Sequence, residues 1–194
     1  MRNIDDNIDF FFEKPNSWID DRRKFSNLYL LRRDIYTCFG INPTTGEKID
    51  YGVLWPGAMS VLAGIDLLGK YYFGQDDIGK VGPRFKGYFE KYINNIDSEI
   101  IYQFRNSLLH SFGLYAYKLD KKTKKRIEYS FGLTAHGNIL VSKLNESFYL
   151  IDILTLWRAF EKSINLYLND LKNSSDLKTN FNNVFRYYSI TDMS

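Results

Sequence analysis

The sequence predicts a mainly α-helical bundle carrying a small antiparallel β insertion. Apolar residues recur at helical spacing through most of the chain, and that spacing gives way to strand-like alternation only between residues 114 and 144. At 194 residues, 44% hydrophobic and 25% charged, the chain has the balance of one globular domain with a substantial core. No internal repeat and no linker composition divides residues 1–194 into more than one domain.

Residues 1–15 read as an irregular lead-in ending at Pro15. Ser17 then suits the N-cap of a helix running to Phe39, with Asp20 as a capping-box relative and Gly40 past the end. Phe25, Leu28, Leu31, Ile35 and Phe39 form its apolar stripe, and Arg22, Arg23, Arg32 and Arg33 its solvated face. Pro43, Gly46 and Gly52 make 41–52 a loop. Pro56 fits the first turn of a second helix over 56–73, apolar nearly all round and therefore central. Gly57, Gly64 and Gly69 within it lower helix propensity, which points to close approach by neighbouring helices. After a loop, 74–82, a third helix over 83–94 spaces Phe85, Tyr88, Phe89 and Tyr92 along one face.

Asp97 suits the cap of a fourth helix, 98–112, with Glu99 in its first turn and Gly113 as its stop. Ile101, Phe104, Leu108 and Phe112 form the expected buried stripe. Alternation then predicts strands over 114–119 and 126–133, joined by the turn Asp120 to Lys125, and a third short strand over 139–144. A long helix from Phe148 to Lys172 follows, and 173–194 reads as a polar and aromatic tail with one short helix at most.

Composition narrows the chemistry. Net charge is +3, from 26 basic and 23 acidic residues, which permits an anionic partner without the strong basicity of a nucleic-acid coat protein. The aromatic load of 15 Tyr, 15 Phe and 3 Trp suits a core, an interface or base stacking. The single cysteine, Cys38, excludes an internal disulfide framework and a Cys-cluster metal site. With only His110 and His136, a His-rich zinc site is not expected either. Asp66, Lys70 and the glycines interrupt the most apolar stretch, Val53 to Phe73, so no membrane span is expected. The early acids Asp5 and Asp6 do not fit a signal peptide, and a cytoplasmic protein is the expectation. Phosphate-cradling loops, dinucleotide fingerprints, HExxH, GxSxG and CxxC are all absent.

What remains is Arg105-Asn106-x-x-x-His110 on the fourth helix. Asn106 and His110 are four apart and share a face. Arg105 lies about 140° round from His110, a splay that makes a poor closed site on one helix. Two copies related by a two-fold axis would bring both pairs into one cleft. An imidazole and a guanidinium suit phosphodiester cleavage: a neutral His takes the 2′-hydroxyl proton, and Arg stabilises the charge that develops on phosphorus-bound oxygens. That route calls for no metal and no cofactor. A polar Arg and His decorating a helix end, with His110 answering the last carbonyls, is the plainer role for the same residues.

The segment Phe104-Arg105-Asn106-Ser107-Leu108-Leu109-His110-Ser111-Phe112-Gly113 resembles the signature helix of the HEPN superfamily. There an Arg, a polar residue, and a His four to six positions after the Arg recur near a helix end in a helical bundle. The resemblance implies a metal-independent endoribonuclease acting as a homodimer on RNA. Arg105 would hold phosphate, His110 would act as base or acid, and Asn106 would orient His110 or substrate. Many such proteins are toxins or phage-defence effectors, which leaves room for a cognate antitoxin or regulatory protein as partner. The family also contains members that bind nucleotides or protein without catalysis. In sequence the likeness covers about ten residues, and the β insertion departs from the minimal bundle. Around the motif, Lys121, Lys122, Lys124, Lys125 and Arg126 make a basic hairpin tip suited to phosphate contact or to guarding a sheet edge. Tyr115 and Tyr117 suit base stacking or strand packing, and His136 reads as a surface polar residue.

Overall fold

The computed structural model describes residues 3–16, 24–42, 45–48, 52–188 and 190–192. Ser17, Asp20, Arg22, Arg23 and Pro43 lie outside them, and so do the cap and two of the charges expected of the first helix.

The first element corrects the irregular lead-in: Ile4–Phe12 is a helix, α1. Asn3 Oδ1 accepts from the Asp6 N–H at 2.8 Å, and Asp6 Oδ2 accepts from the Asn3 N–H at 3.3 Å, a reciprocal capping box. Ile8, Phe11 and Phe12 are its buried face. After a short strand β1 (Lys24–Ser26), α2 spans Asn27–Cys38. Ser26 caps it, accepting from Tyr29 N–H at 3.0 Å. Arg32 is not part of a solvated face. It is buried and paired with Glu161 at 2.6 Å, because α2 packs where a charge needs a partner.

Helix α3 (Leu54–Phe73) is central, as its all-round apolarity predicts: α2, α4 (Val81–Tyr92), α5 (Ser98–Ser111), α6 (Ile153–Asn173) and α7 (Ser175–Tyr188) all pack on it. Close approach explains its glycines. A Cβ on Gly64 would sit 2.5 Å from the Phe160 ring, and one on Gly69 3.0 Å from the Arg84 carbonyl oxygen. Phe85, Tyr88, Phe89 and Tyr92 of α4 are buried as spaced.

In α5, Ile101, Phe104 and Leu108 are buried, but Phe112 is 72% exposed. Phe112 takes the left-handed conformation (φ 48°) that ends the helix, a place usually held by glycine, while the Gly113 N–H reaches the Ser107 carbonyl at 3.1 Å. Asp97 precedes α5 without capping it, since its carboxylate accepts instead from Asn94 Nδ2 at 3.0 Å.

The β insertion is larger than expected and mixed rather than antiparallel. Strands β2 (Tyr115–Leu119), β3 (Arg126–Thr134), β4 (Val141–Lys143) and β5 (Phe148–Asp152) form a sheet of order β2-β3-β5-β4 in which β3 and β5 run parallel. Residues 148–152 were expected to open the long helix. They instead form the interior strand β5, and α6 starts at Ile153. Asp152 marks the boundary, accepting from the Thr155, His136 and Gly137 N–H groups at 2.8, 2.8 and 2.9 Å. Burial opposes its charge, but these backbone donors prevail and hold its carboxyl below the usual range. His136 is exposed, as read from the sequence.

The expected tail is also structured. Helix α7 buries Phe181, Val184 and Phe185, and β6 (Ile190–Asp192) pairs antiparallel with β1. Among the described residues, no helix is long and apolar enough to cross a membrane.

Candidate functional site

The motif sits on the last two turns of α5, where the helix passes from the core to the surface. The core stripe Ile101, Phe104 and Leu108 turns Arg105 inward, so that only 8% of it is exposed. His110, five residues on, is exposed. One chain nevertheless brings the two together, against the splay expected from the helix. Arg105 Nη1 donates to His110 Nε2 at 2.8 Å and to Asn106 Oδ1 at 3.3 Å. The angular argument follows backbone position, and an arginine side chain is long enough to reach across it.

A guanidinium has donors only. The contacted His110 Nε2 must therefore present its lone pair, which leaves the ring proton of a neutral imidazole on Nδ1. The other prong of Arg105, Nη2, pairs with Asp66 Oδ2 of α3 at 3.0 Å. Asp66 Oδ1 lies 4.0 Å from Arg84 Nη2, which pairs with Asp76 at 3.0 Å, and Asp76 takes Lys70 at 3.0 Å. Arg84 is 1% exposed and also donates to the Asp77 carbonyl at 3.1 Å. A chain of alternating charge, its arginines buried and Asp66, Asp76 and Lys70 half-buried, thus runs from the α3–α4 side to the imidazole. It fixes Arg105 in one orientation, as a buried ion requires.

Asp66, Arg84 and Asp76 were not singled out from the sequence as site residues. The available signal was Asp66 itself, a carboxylate between Ile65 and Leu67 in a mostly apolar helix, where a charge calls for a cationic partner.

Asn106 and His110 line an open groove of about 600 Å³ between α5 and β2, together with Tyr102, Gln103, Tyr115 and Tyr117. Tyr115 and Tyr117 are 41% and 55% exposed, so neither is spent on strand packing. The Arg126 guanidinium lies over both rings, 4.1 Å from the Tyr117 centroid and 5.7 Å from that of Tyr115. Lys121, Lys122, Lys124 and Lys125 are exposed at the far end of the β2–β3 hairpin and do not line the groove. Asp120 builds their turn by accepting from the Lys122 and Thr123 N–H groups at 3.0 and 2.7 Å. Behind the groove, Glu99 ties three elements together through Lys86 of α4 at 2.9 Å and Lys118 of β2 at 2.6 Å. Burial opposes its charge, yet hydrogen bonds from Lys118, Lys86 and Gln103 draw its carboxyl down to about 2.

No family model, curated protein or solved structure matches the chain.

Proposed function

We propose that the protein is a HEPN-like, metal-independent endoribonuclease that works as a homodimer. The observation that carries this reading is the contact of Arg105 with both His110 and Asn106 at the edge of an open, tyrosine-lined groove. Asp66 holds the guanidinium from behind, so its forward prong can exchange the imidazole for a phosphate oxygen without losing its orientation. That exchange frees the His110 Nε2 lone pair beside the substrate. Nε2 then takes the 2′-hydroxyl proton as the 2′-oxygen bonds to phosphorus. The bond to the 5′-oxygen breaks, and that oxygen leaves with a proton from solvent. The products are a 2′,3′-cyclic phosphate and a 5′-hydroxyl. Arg105 meets the charge that develops on the phosphoryl oxygens, Asn106 orients the reacting groups, and Tyr115 and Tyr117 offer faces for unpaired bases.

A second reading is a non-catalytic module that binds a nucleotide or a protein. It is favoured by the burial of Arg105, whose two terminal nitrogens already have partners. Incubating the purified protein with total RNA and EDTA separates the two. On the endoribonuclease reading, cleavage proceeds with EDTA present and yields cyclic-phosphate ends. His110→Ala then lowers the rate by about 10²–10⁴-fold, the ordinary contribution of general acid–base catalysis. Arg105→Lys is also impaired, because an ammonium keeps the charge and loses the planar two-pronged grip. Absence of cleavage by the wild type, or cleavage that survives the loss of His110, rejects the endoribonuclease and leaves the binding module.

A further inference from the structure

Among the described residues, strand β2 is an edge of the four-stranded sheet, with β3 as its only neighbour. The Phe131 N–H donates to the Leu114 carbonyl at 2.8 Å, and the Asp120 N–H to that of Lys125 at 2.9 Å. By the alternation of an antiparallel ladder, Leu114, Ala116, Lys118 and Asp120 turn their backbone groups toward β3. Tyr115, Tyr117 and Leu119 turn theirs outward, along the groove.

Edges of this kind are usually guarded by brevity, proline, a bulge or a free lysine. The opposite edge, β4, is only three residues long. By contrast β2 runs five residues in unbroken register without proline. Its one charged residue, Lys118, is held back by Glu99 at 2.6 Å. Its outward side chains Tyr115, Tyr117 and Leu119 are exposed, as is Phe112 just before it.

We infer that a second copy of this chain adds to this edge, β2 against β2, antiparallel, with the two-fold axis at Tyr117. The inference deepens the endoribonuclease reading, on which its functional half rests. In that register Tyr117 faces its own mate and Tyr115 faces Leu119 of the partner subunit, so every outward N–H and C=O meets its complement. Ala116 faces the partner's Lys118, so no like charges oppose one another. The turn from Asp120 to Lys125 of each copy falls beside residues 112–114 of the other. There its lysines meet the carbonyl end of α5, the negative pole of a 14-residue helix. The α5 wall of the groove, with Asn106 and His110, faces its two-fold mate across a floor of paired strands. The basic turn, remote from His110 in its own chain, is thereby delivered to the site of the other.

Light scattering at micromolar concentration tests this with Tyr117→Pro. The Tyr117 N–H makes no bond to β3, so proline leaves the ladder of one chain intact while removing the central bonds between copies. The wild type is expected to measure twice the mass of the chain, and Tyr117→Pro half the wild-type value with an unchanged far-ultraviolet circular dichroism spectrum. A monomeric wild type, or a variant that stays dimeric, overturns the inference, the former leaving the edge to a strand of another protein. Should Tyr117→Pro fail to fold, Tyr117→Cys in a Cys38→Ser background is treated with a short bismaleimide. Cross-linked dimer supports the paired edge, and its absence overturns it. The two readings fail separately. A monomer with His110-dependent cleavage rejects the paired edge and the homodimer but keeps the nuclease chemistry, and an inert dimer severed by Tyr117→Pro rejects only the nuclease.

Discussion

Arg84 is held by Asp76 at 3.0 Å and lies 4.0 Å from Asp66, but the buried Arg105 pairs at 3.0 Å with Asp66. Removing it strands buried positive charge, and Asp66→Ala is expected to cost about 3–5 kcal/mol in a urea titration. A loss below about 0.5 kcal/mol, the range of ordinary surface sites, would mean that the charge chain does not organise the motif. The residue was visible in the sequence only as an interruption of an apolar stretch, because a one-dimensional pattern does not say which distant cation answers a buried acid. Arg105, Asn106 and His110 were legible from type and spacing, but their union within one chain was not. Periodicity places Cα atoms, whereas the contact is made at the end of a long side chain. Leu108 was legible throughout. It is fully buried, and Leu108→Ala is expected to destabilise by about 2–5 kcal/mol through the cavity it leaves.

At the scale of elements, the junction between α5 and β2 concentrates the unusual features. Phe112 accepts a left-handed backbone at φ 48° while its ring is 72% exposed, so packing does not compensate for the strain. Phe112→Gly is expected to raise stability by about 0.5–1 kcal/mol in thermal or chemical melts, and an unchanged midpoint would show the strain to be absent. The exposed Phe112 ring stands between Ser111 and Gly113, which both line the groove. In the first turn of α5, Glu99 links α4, α5 and β2. Its carboxyl is depressed, so its stabilisation is complete above the ordinary glutamate range of about 4.3 and is lost as pH falls toward about 2. The loss of stability over that window should be shallower in Glu99→Gln than in the wild type, as read by denaturant midpoints at matched pH. Equal slopes would show that the three-way tie contributes nothing. Helices α3, α4 and α5 were legible because their apolar faces are long and regular. Residues 148–152 were not, since four apolar residues ending in Asp152 fit either period and only their pairing between β3 and β4 makes them a strand.

For the whole molecule, the two ends of the chain close the bundle that the middle builds. Phe11 of α1 meets Tyr71 of α3 at 4.3 Å and Phe181 of α7 at 5.5 Å between ring centroids, and Phe181 lies 5.1 Å from Tyr71. Local spacing reads the first end as an irregular lead-in and the second as a tail with one short helix at most: α1 is short, and α7 shows a polar sequence broken by isolated aromatics. Each completes its apolar face only against the other and against α3, a relation that local spacing does not carry. The aromatic excess in the composition has one of its uses here, and the groove takes a smaller share. Asp66 lies on the same helix as Tyr71, so the rings that join the termini also support the helix that holds Arg105. Phe181 is fully buried, and Phe181→Ala is expected to cost about 3–5 kcal/mol. A chain ending at Ser174 is expected to lose cooperative unfolding altogether, because the apolar faces of α1 and α3 would open to water. Circular dichroism melts of the two proteins decide the matter. A shortened chain that still melts sharply, at a midpoint near the wild type, would make α7 an accessory to a core complete without it. A broad or absent transition, with Phe181→Ala intermediate between the two, would make the site at the end of α5 dependent on helices at both ends of the chain.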